Sequence, residues 1–258
     1  MTDDAIPPKP KRKKRPKGER KRDRIKAFAR KAIPVPLSVR TSDLPKRAAS
    51  GLVMVAIAGT ALWLGGIVWE VFVGLIGLVG LWELWRIALR LKVSVAAQVA
   101  IIVVGAFYIG WAAYRLGGLP YEVVLGIVAI VIATDTGAYF SGRTIGGPKI
   151  APRISPSKTW AGLAGGATAA ALISFAFFYS NVGSGAFSAM GLFALVLGAL
   201  LAVVAQAGDF LESWLKRKAA VKDSSNLIPG HGGVLDRIDG LLPVAIVSAE
   251  LWYRVHPA

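Results

Sequence analysis

The run AASGLVMVAIAGTALWLGGIVWEVFVGLIGLVGLWELWRIAL, from Ala48 to Leu89, decides the fold. It is roughly twice as long as the ~20 mainly apolar residues that cross a hydrocarbon core about 30 Å thick. Gly65-Gly66 offers a break near its middle, and Trp63 and Trp69 flank that break as expected interfacial anchors. The run therefore reads as a helical hairpin in a bilayer. Comparable apolar stretches follow at about Val93 to Tyr114, Pro120 to Phe140, Trp160 to Tyr179, Phe187 to Gln206 and Gly240 to Val255, making about seven spans. The expected fold is all-α: a polytopic transmembrane helical protein behind a disordered basic N-terminal tail. Residues 1–47 form the tail, 48–134 the N-terminal spans and 135–258 a C-terminal membrane region that carries the chemistry.

Composition agrees with this class. Hydrophobic residues make up 54% of the chain and charged ones 18%, too apolar a balance for a soluble domain with a solvated surface. The net charge of +16 resembles a nucleic-acid signal until it is located, because residues 1–47 hold 17 Lys and Arg against 5 acids, or +12 of the total. From Pro7 through Arg22 there is almost nothing apolar to bury, so that segment is expected to be disordered in isolation. The favoured reading is a cytoplasmic arm that fixes orientation and touches anionic lipid, at about 1 kcal/mol per basic residue near the surface. A solvated arm without a specific role is the alternative, and specific nucleic-acid binding is not expected. The tail is too long for a signal-peptide n-region and the first apolar run has no convincing cleavage site, so the first helix is expected to remain as an anchor. With no Cys, and only His231 and His256 as imidazoles, thiolate chemistry is excluded and a zinc site disfavoured. Any metal should be held by oxygen.

Loop charge gives a topology. With the basic tail on the cytoplasmic side, so are Arg86, Arg90 and Lys92, the segment holding Arg143, Lys149, Arg153 and Lys158, and the segment holding Lys216, Arg217, Lys218 and Lys222. The opposite loops, near Gly65, Gly117 and Gly183, carry almost no charge. The pattern predicts an N-in, C-out arrangement. No internal repeat suggests a transporter built from duplicated halves, and the glycines within the spans, such as Gly74, Gly77, Gly80, Gly162 and Gly166, read as close helix contacts.

Two segments on the cytoplasmic face have more polar residues and glycines than topology requires. The first contains Asp135-Thr136-Gly137-Ala138-Tyr139, Ser141-Gly142-Arg143, Gly146-Gly147-Pro148-Lys149 and Ile154 to Trp160, which includes Ser155, Lys158 and Thr159. The second runs from Gly208-Asp209 through Ser213, Lys216-Arg217 and Lys222-Asp223 to Pro229-Gly230-His231-Gly232-Gly233 and Asp236-Arg237-Ile238-Asp239. An acid within a span costs about 2.5–3.5 kcal/mol, so Asp135 and Asp209 each need a partner or water. On a helix Asp209 and Ser213 share a face with Lys216 and Arg217 close behind, and Asp236 and Asp239 share another. If the second segment folds back, the three aspartates can converge. Convergent carboxylates suit a hard cation such as Mg²⁺, and glycines around His231 would let backbone approach a phosphate. Lys216, Arg217, Lys222 and Arg237 would offset the remaining phosphate charge. Glu83, between Trp82 and Trp85, reads equally as a partner for Arg86 or as a group that reaches the site.

These residues resemble a known family, the phosphatidate cytidylyltransferases. The pattern S-x-x-K-R-x(4)-K-D-x(4)-[LI]-P-G-H-G-G-x-x-D-R-x-D is reproduced from Ser213 to Asp239; D-T-x-A-Y-x-x-G-R and I-S-P-x-K-T-W-x-G appear between Asp135 and Gly162. Leu44 to Arg47 and Trp82-Glu83 are weaker echoes, and the long basic tail departs from the short N-termini of bacterial members. The resemblance implies transfer of CMP from CTP to phosphatidic acid, giving CDP-diacylglycerol and pyrophosphate. It implies that Asp209, Asp236 and Asp239 hold Mg²⁺ with a second cation, divalent or K⁺, and that Lys222 and Asp223 belong to the catalytic group. Ser213, Lys216, Arg217, His231, Gly232, Gly233 and Arg237 would serve substrate binding, with Arg143, Ser155, Lys158 and Thr159 as a second wall. The implied setting is a bacterial-type plasma (inner) membrane, multi-pass, with the N-terminus and site cytoplasmic, membrane lipids around it and a homodimer as its assembly.

Four rivals are weighed, of which a purely scaffolding membrane protein gives no reason for paired aspartates beside a glycine-rich loop. A CDP-alcohol phosphotransferase would carry D-G-x-x-A-R ahead of G-x-x-x-D-x-x-x-D, and the Gly240 to Val255 helix lacks those aspartates. A CTP-dependent lipid kinase would transfer the γ-phosphate and is separated by its product. A transporter would line its midplane with the acids, whereas here they gather at one face.

Overall fold

The computed structural model describes residues 44–256, so the expectations for the basic tail lie outside the described residues. Helix α1 spans Leu44–Leu64 and α2 spans Gly66–Ala88. The break falls where two glycines allow it: Gly65 and Gly66 both take positive φ, 63° and 50°, a region that costs a residue with Cβ. Then come α3 (Val95–Gly117), started by a Ser94 side chain that accepts from the Ala97 amide, and α4 (Tyr121–Thr144). Strands β1 (Lys149–Ala151) and β2 (Ser155–Thr159) form an antiparallel hairpin that runs straight into α5 (Trp160–Val182). After a 3₁₀ turn at Gly183–Ala186 come α6 (Ala189–Lys218), the short α7 (Leu235–Ile238) and α8 (Leu241–Val255).

Six of these helices, α1 to α6, are long and apolar enough to cross a membrane. The seventh expected span corresponds to α8, which has 15 residues and includes Pro243, short of the ~20 residues that a bilayer crossing takes. It packs against α3, α4 and α6, with Val244, Ala245 and Ala249 fully buried. Helix α6 is longer than expected. Its 30 residues rise about 45 Å, so a stretch that crosses ~30 Å from Ala189 leaves the turns from about Asp209 to Lys218 projecting beyond the hydrocarbon. Outward-facing Leu52, Val55, Ile67, Val95, Phe107 and Met190 are exposed in the isolated chain, as lipid-facing positions should be.

One expectation about the first hairpin needs correction. Trp69 is no interfacial anchor: it is buried, and its indole N–H donates to the Leu116 carbonyl at 3.2 Å, whereas Trp63 is exposed. The polytopic helical fold is as expected; within it the short β1–β2 hairpin is an addition that no alternating pattern is long enough to mark.

Helices α4, α5 and α6 pack closely because small residues let their backbones approach. A Cβ on Gly137 would lie 2.7 Å from the Gly165 carbonyl oxygen, and one on Gly166 2.7 Å from that of Thr134. Replacing Gly166 with Val is expected to force these backbones apart at a cost of about 1–3 kcal/mol. Thermal unfolding in detergent checks this, with Gly74→Val as the control because a Cβ there meets nothing within 4 Å.

Candidate active site

The projecting end of α6, the β hairpin and the segment from Ala219 to Gly240 enclose a polar cleft of about 670 Å³. Asp135 and Arg143 enter it from α4, Lys158 and Thr159 from β2, Asp209 and Lys216 from α6, and Asp236, Arg237 and Asp239 from α7 and its end. Thr159 also caps α5 by accepting from the Gly162 amide at 3.0 Å, which ties the hairpin to the start of that helix.

The segment after α6 folds back on itself. Pro229 and Gly230 turn the chain, with the Ile228 amide donating to Gly232 O at 2.8 Å and the His231 amide to Ile228 O at 2.9 Å. Gly230 and Gly232 take φ of 77° and 81°, so glycine is required at both. The turn delivers α7, and with it Asp236. That carboxylate accepts from Lys216 Nζ at 2.5 Å, from the Gly233 amide at 2.8 Å and from the Ser224 amide at 2.9 Å. Burial pushes the Asp236 carboxyl up, but the lysine and the two amides outweigh it and hold it below the usual carboxylate range.

Asp209 pairs with Lys158 Nζ at 2.5 Å and accepts from Ser213 Oγ at 3.2 Å. Asp239 has only the Gly240 amide, at 2.8 Å, and pairs with no cation among the described residues. Burial, and then the negative charge of Asp209, push the Asp239 carboxyl up to about 6. Three of the expected aspartates therefore do line one cleft, with Asp135 beside them.

A second polar cleft of about 510 Å³ shares Asp223 and Arg237 with the first and is lined by Arg47, Lys222, His231 and Gly232. The first turns of α1 close it. Ser50 Oγ donates to the Pro229 carbonyl at 2.9 Å and lies 2.9 Å from His231 Nδ1, while the Arg47 stem packs over Gly230.

Other expected residues sit elsewhere. Arg217 lines neither cleft; its Nε donates to the Ile154 carbonyl at 3.2 Å, bracing the hairpin against α6. Ser155 is buried in the hairpin, and Ser157 stands at the cleft in its place. Ser213 acts through Asp209, and Gly233 through the Asp236 bond that its amide makes. Arg143 reaches the cleft with its guanidinium on the Tyr139 hydroxyl at 3.0 Å.

Two groups at the site, Glu212 and Ser224, were not singled out from the sequence, and for Glu83 the structure decides between the two readings. Glu212 ion-pairs with Lys216 at 2.5 Å, and its i, i+4 spacing was the available signal. Ser224 lies within 2.9 Å of Asp236 Oδ2. Glu83 does not pair with Arg86, whose guanidinium stacks on Trp82 at 4.7 Å; the Glu83 carboxylate meets Ser224, Ser225 and the start of α7 instead.

The sequence model of the Cytidylyltransferase family matches residues 90–254, most of the chain and every residue that lines either cleft except Arg47. The chain belongs to that family. This cytidylyltransferase-family chain is similar to the phosphatidate cytidylyltransferase of Brucella suis, at 46% identity over 147 residues that cover 55% of this chain and 53% of the relative. It is likewise similar to those of Haemophilus influenzae (46% over 127 residues, 47% and 43%) and Pseudomonas aeruginosa (41% over 135 residues, 52% and 49%). Each match thus spans about half the length of the curated relative.

The donor set suits a hard cation. Asp209, Asp236 and Asp239, with Asp135 beside them, offer oxygen alone, and the neighbouring Asp209 and Asp239, of which the second lacks a counter-charge, fit Mg²⁺, which takes one or two protein carboxylates and completes its shell with water and phosphate. Lys158 and Lys216 cover Asp209 and Asp236, and among the described residues no three such side chains form a ready-made cage.

Proposed function

We propose that the chain transfers the cytidylyl group of CTP to phosphatidic acid. A phosphate oxygen of the lipid forms a bond to the α-phosphorus of CTP, the bond from that phosphorus to the bridging oxygen breaks, and pyrophosphate leaves with the electron pair. The product is CDP-diacylglycerol. The observation that carries this reading is the pair of adjoining polar clefts at the end of the spanning helices, in a chain whose family is named for cytidylyl transfer. A cleft in which carboxylates and lysines alternate in direct contact suits two phosphate substrates, and its position at the bilayer edge suits one water-borne and one lipid-borne partner.

Asp209, Asp236 and Asp239 would hold the cation, Mg²⁺ with a second divalent ion or K⁺. When bound, such a cation neutralises the attacking and leaving oxygens of an in-line displacement. The protein's own groups then do the rest. Lys158 and Lys216 orient Asp209 and Asp236 and add positive charge where phosphate gathers. Arg47, Lys222, His231 and Arg237 line the neighbouring cleft, the natural resting place for the diphosphate end of the nucleotide. Asp223 stands between the clefts, and the lipid phosphate needs no strong base because it is already ionised near neutral pH.

The setting is a multi-pass protein in a bacterial-type inner membrane, with the N-terminus and site facing the cytoplasm, as the Lys- and Arg-rich segments on the cleft side support. Membrane lipids surround the spans, and a homodimer is the assembly proposed from the family resemblance.

The deciding experiment incubates purified protein in mixed micelles with phosphatidic acid, Mg²⁺ and CTP labelled at the α- or the γ-phosphate. α-Label in the lipid with γ-label in pyrophosphate is expected. γ-Label in the lipid would identify a kinase, and no transfer by folded protein would sink both enzymes and favour a transporter.

A pH dependence follows from Asp239. Its raised pKa means that it is protonated, and so loses its charge toward a cation, as pH falls through about 6. The acid limb of kcat/KM is expected near that pH, and higher Mg²⁺ should move it lower, since cation binding competes with the proton. An acid limb that Mg²⁺ leaves unmoved would remove Asp239 from the cation site.

A further inference from the structure

The carboxylate of Glu83, near the C-terminal end of α2, has no exposed surface and spends every hydrogen bond on a segment 141 to 152 residues downstream. Its Oε1 accepts from Ser225 Oγ at 2.5 Å and from the Val234 amide at 3.0 Å. Its Oε2 accepts from the Leu235 amide at 2.6 Å and from Ser224 Oγ at 2.9 Å. An ionised carboxylate has about four acceptor sites. All are used.

Two of these donors are the amides at the start of α7, which would otherwise lack partners, so a side chain from a distant helix caps the element that carries Asp236 and leads into Asp239. Ser224 stands between the two carboxylates, its hydroxyl free to donate to Glu83 while its amide donates to Asp236. Its Oγ stands 2.9 Å from both Glu83 Oε2 and Asp236 Oδ2. There is no slack between them: a Cβ on Gly233 would overlap Ser224 Oγ and the Glu83 carboxylate.

We propose that Glu83 is a positioning residue for the transfer site, fixing residues 224–235 and the start of α7 so that Asp236 and Asp239 face the cleft. The inference rests on the proposed cytidylyl transfer, and it assigns a role to a residue outside the segment that the family model matches. Volume alone does not account for the arrangement, because four donors aimed at one group demand an acceptor. Gln has the same shape but turns an NH₂ toward two of those donors.

The test compares Glu83→Gln, Glu83→Asp and Ser225→Ala in the full chain by steady-state kinetics, and by hydrogen exchange of residues 224–236. Glu83→Gln is expected to lower kcat about 10–100-fold, the range for outer-shell partners, with KM for CTP and phosphatidic acid within about threefold. Its Val234 and Leu235 amides should exchange about tenfold faster while α4 to α6 keep their protection. Glu83→Asp, which keeps the charge on a shorter stem, should recover part of the kcat. Should Glu83→Gln fail to fold, Ser225→Ala, which removes one donor only, decides by the same two readouts with a smaller effect. A kcat that stays within threefold, or that falls only in proportion to the folded fraction, overturns the proposal, as does unchanged exchange at residues 224–236. If the wild-type chain transfers no CMP, the proposed function fails, while the exchange data still decide whether Glu83 holds this segment.

Discussion

Asp236→Asn is expected to lower transfer of α-labelled CMP to phosphatidic acid by at least about 10³-fold, the scale of losing a member of an interdependent catalytic set. The reason lies in what surrounds the carboxylate. Lys216 Nζ and the amides of Gly233 and Ser224 all donate to it, and Asn can offer one carbonyl oxygen to that group of donors while its NH₂ must face another. One donor is left unsatisfied, at about 1–3 kcal/mol. That loss falls on the Ala219–Gly240 segment and on Lys216 at the projecting end of α6, which keeps Glu212 as its partner, while the small-residue contacts of α4, α5 and α6 are untouched. The variant should therefore elute as folded protein in detergent with a thermal midpoint only slightly lowered. Near-normal turnover would take Asp236 out of the site; loss of the folded fraction in step with activity would make its role one of stability.

The parts of the fold that were legible in the sequence are those that the bilayer dictates. Spans α1 to α6 follow from apolar length, and the break between α1 and α2 follows from a glycine pair whose positive φ values other residues resist. Length alone could not show that α8 is short and enclosed, nor that α6 runs unbroken to Lys218, since the helical spacing of Asp209, Ser213 and Lys216 does not reveal that their turns continue the apolar span. Trp69 was misplaced because an indole suits an interface as well as a core; only the Leu116 carbonyl distinguishes the two. At the site, Asp209, Asp236 and Asp239 could be grouped by spacing and by the motif around His231. Their counter-charges could not. Lys158 reaches Asp209 from a hairpin that local pattern does not announce, and Glu83 finds partners far along the chain instead of Arg86 beside it. Contacts made across tertiary distance leave no periodic trace.

Lys216 is where stability and chemistry can be pulled apart. Its ammonium bridges Glu212 and Asp236 at 2.5 Å each, with side-chain exposures of only 10% for Lys216 and 6% for each acid. Removing one partner from such a buried set leaves charge uncompensated, so Lys216→Gln is expected to cost about 3–5 kcal/mol and to lower the thermal midpoint in detergent. Glu212 has one carboxylate oxygen already without a partner, so it is the group left most exposed to that loss. Adding Glu212→Gln should then restore much of the stability, because a neutral amide no longer needs the lysine. Activity should stay low in the double variant, since Asp236 still lacks the ammonium that orients it toward the cleft. A double-mutant cycle read separately in midpoint and in kcat measures the division: coupling in stability without recovery of turnover places Lys216 in the transfer step, whereas recovery of both would leave it a counter-ion for Glu212 alone.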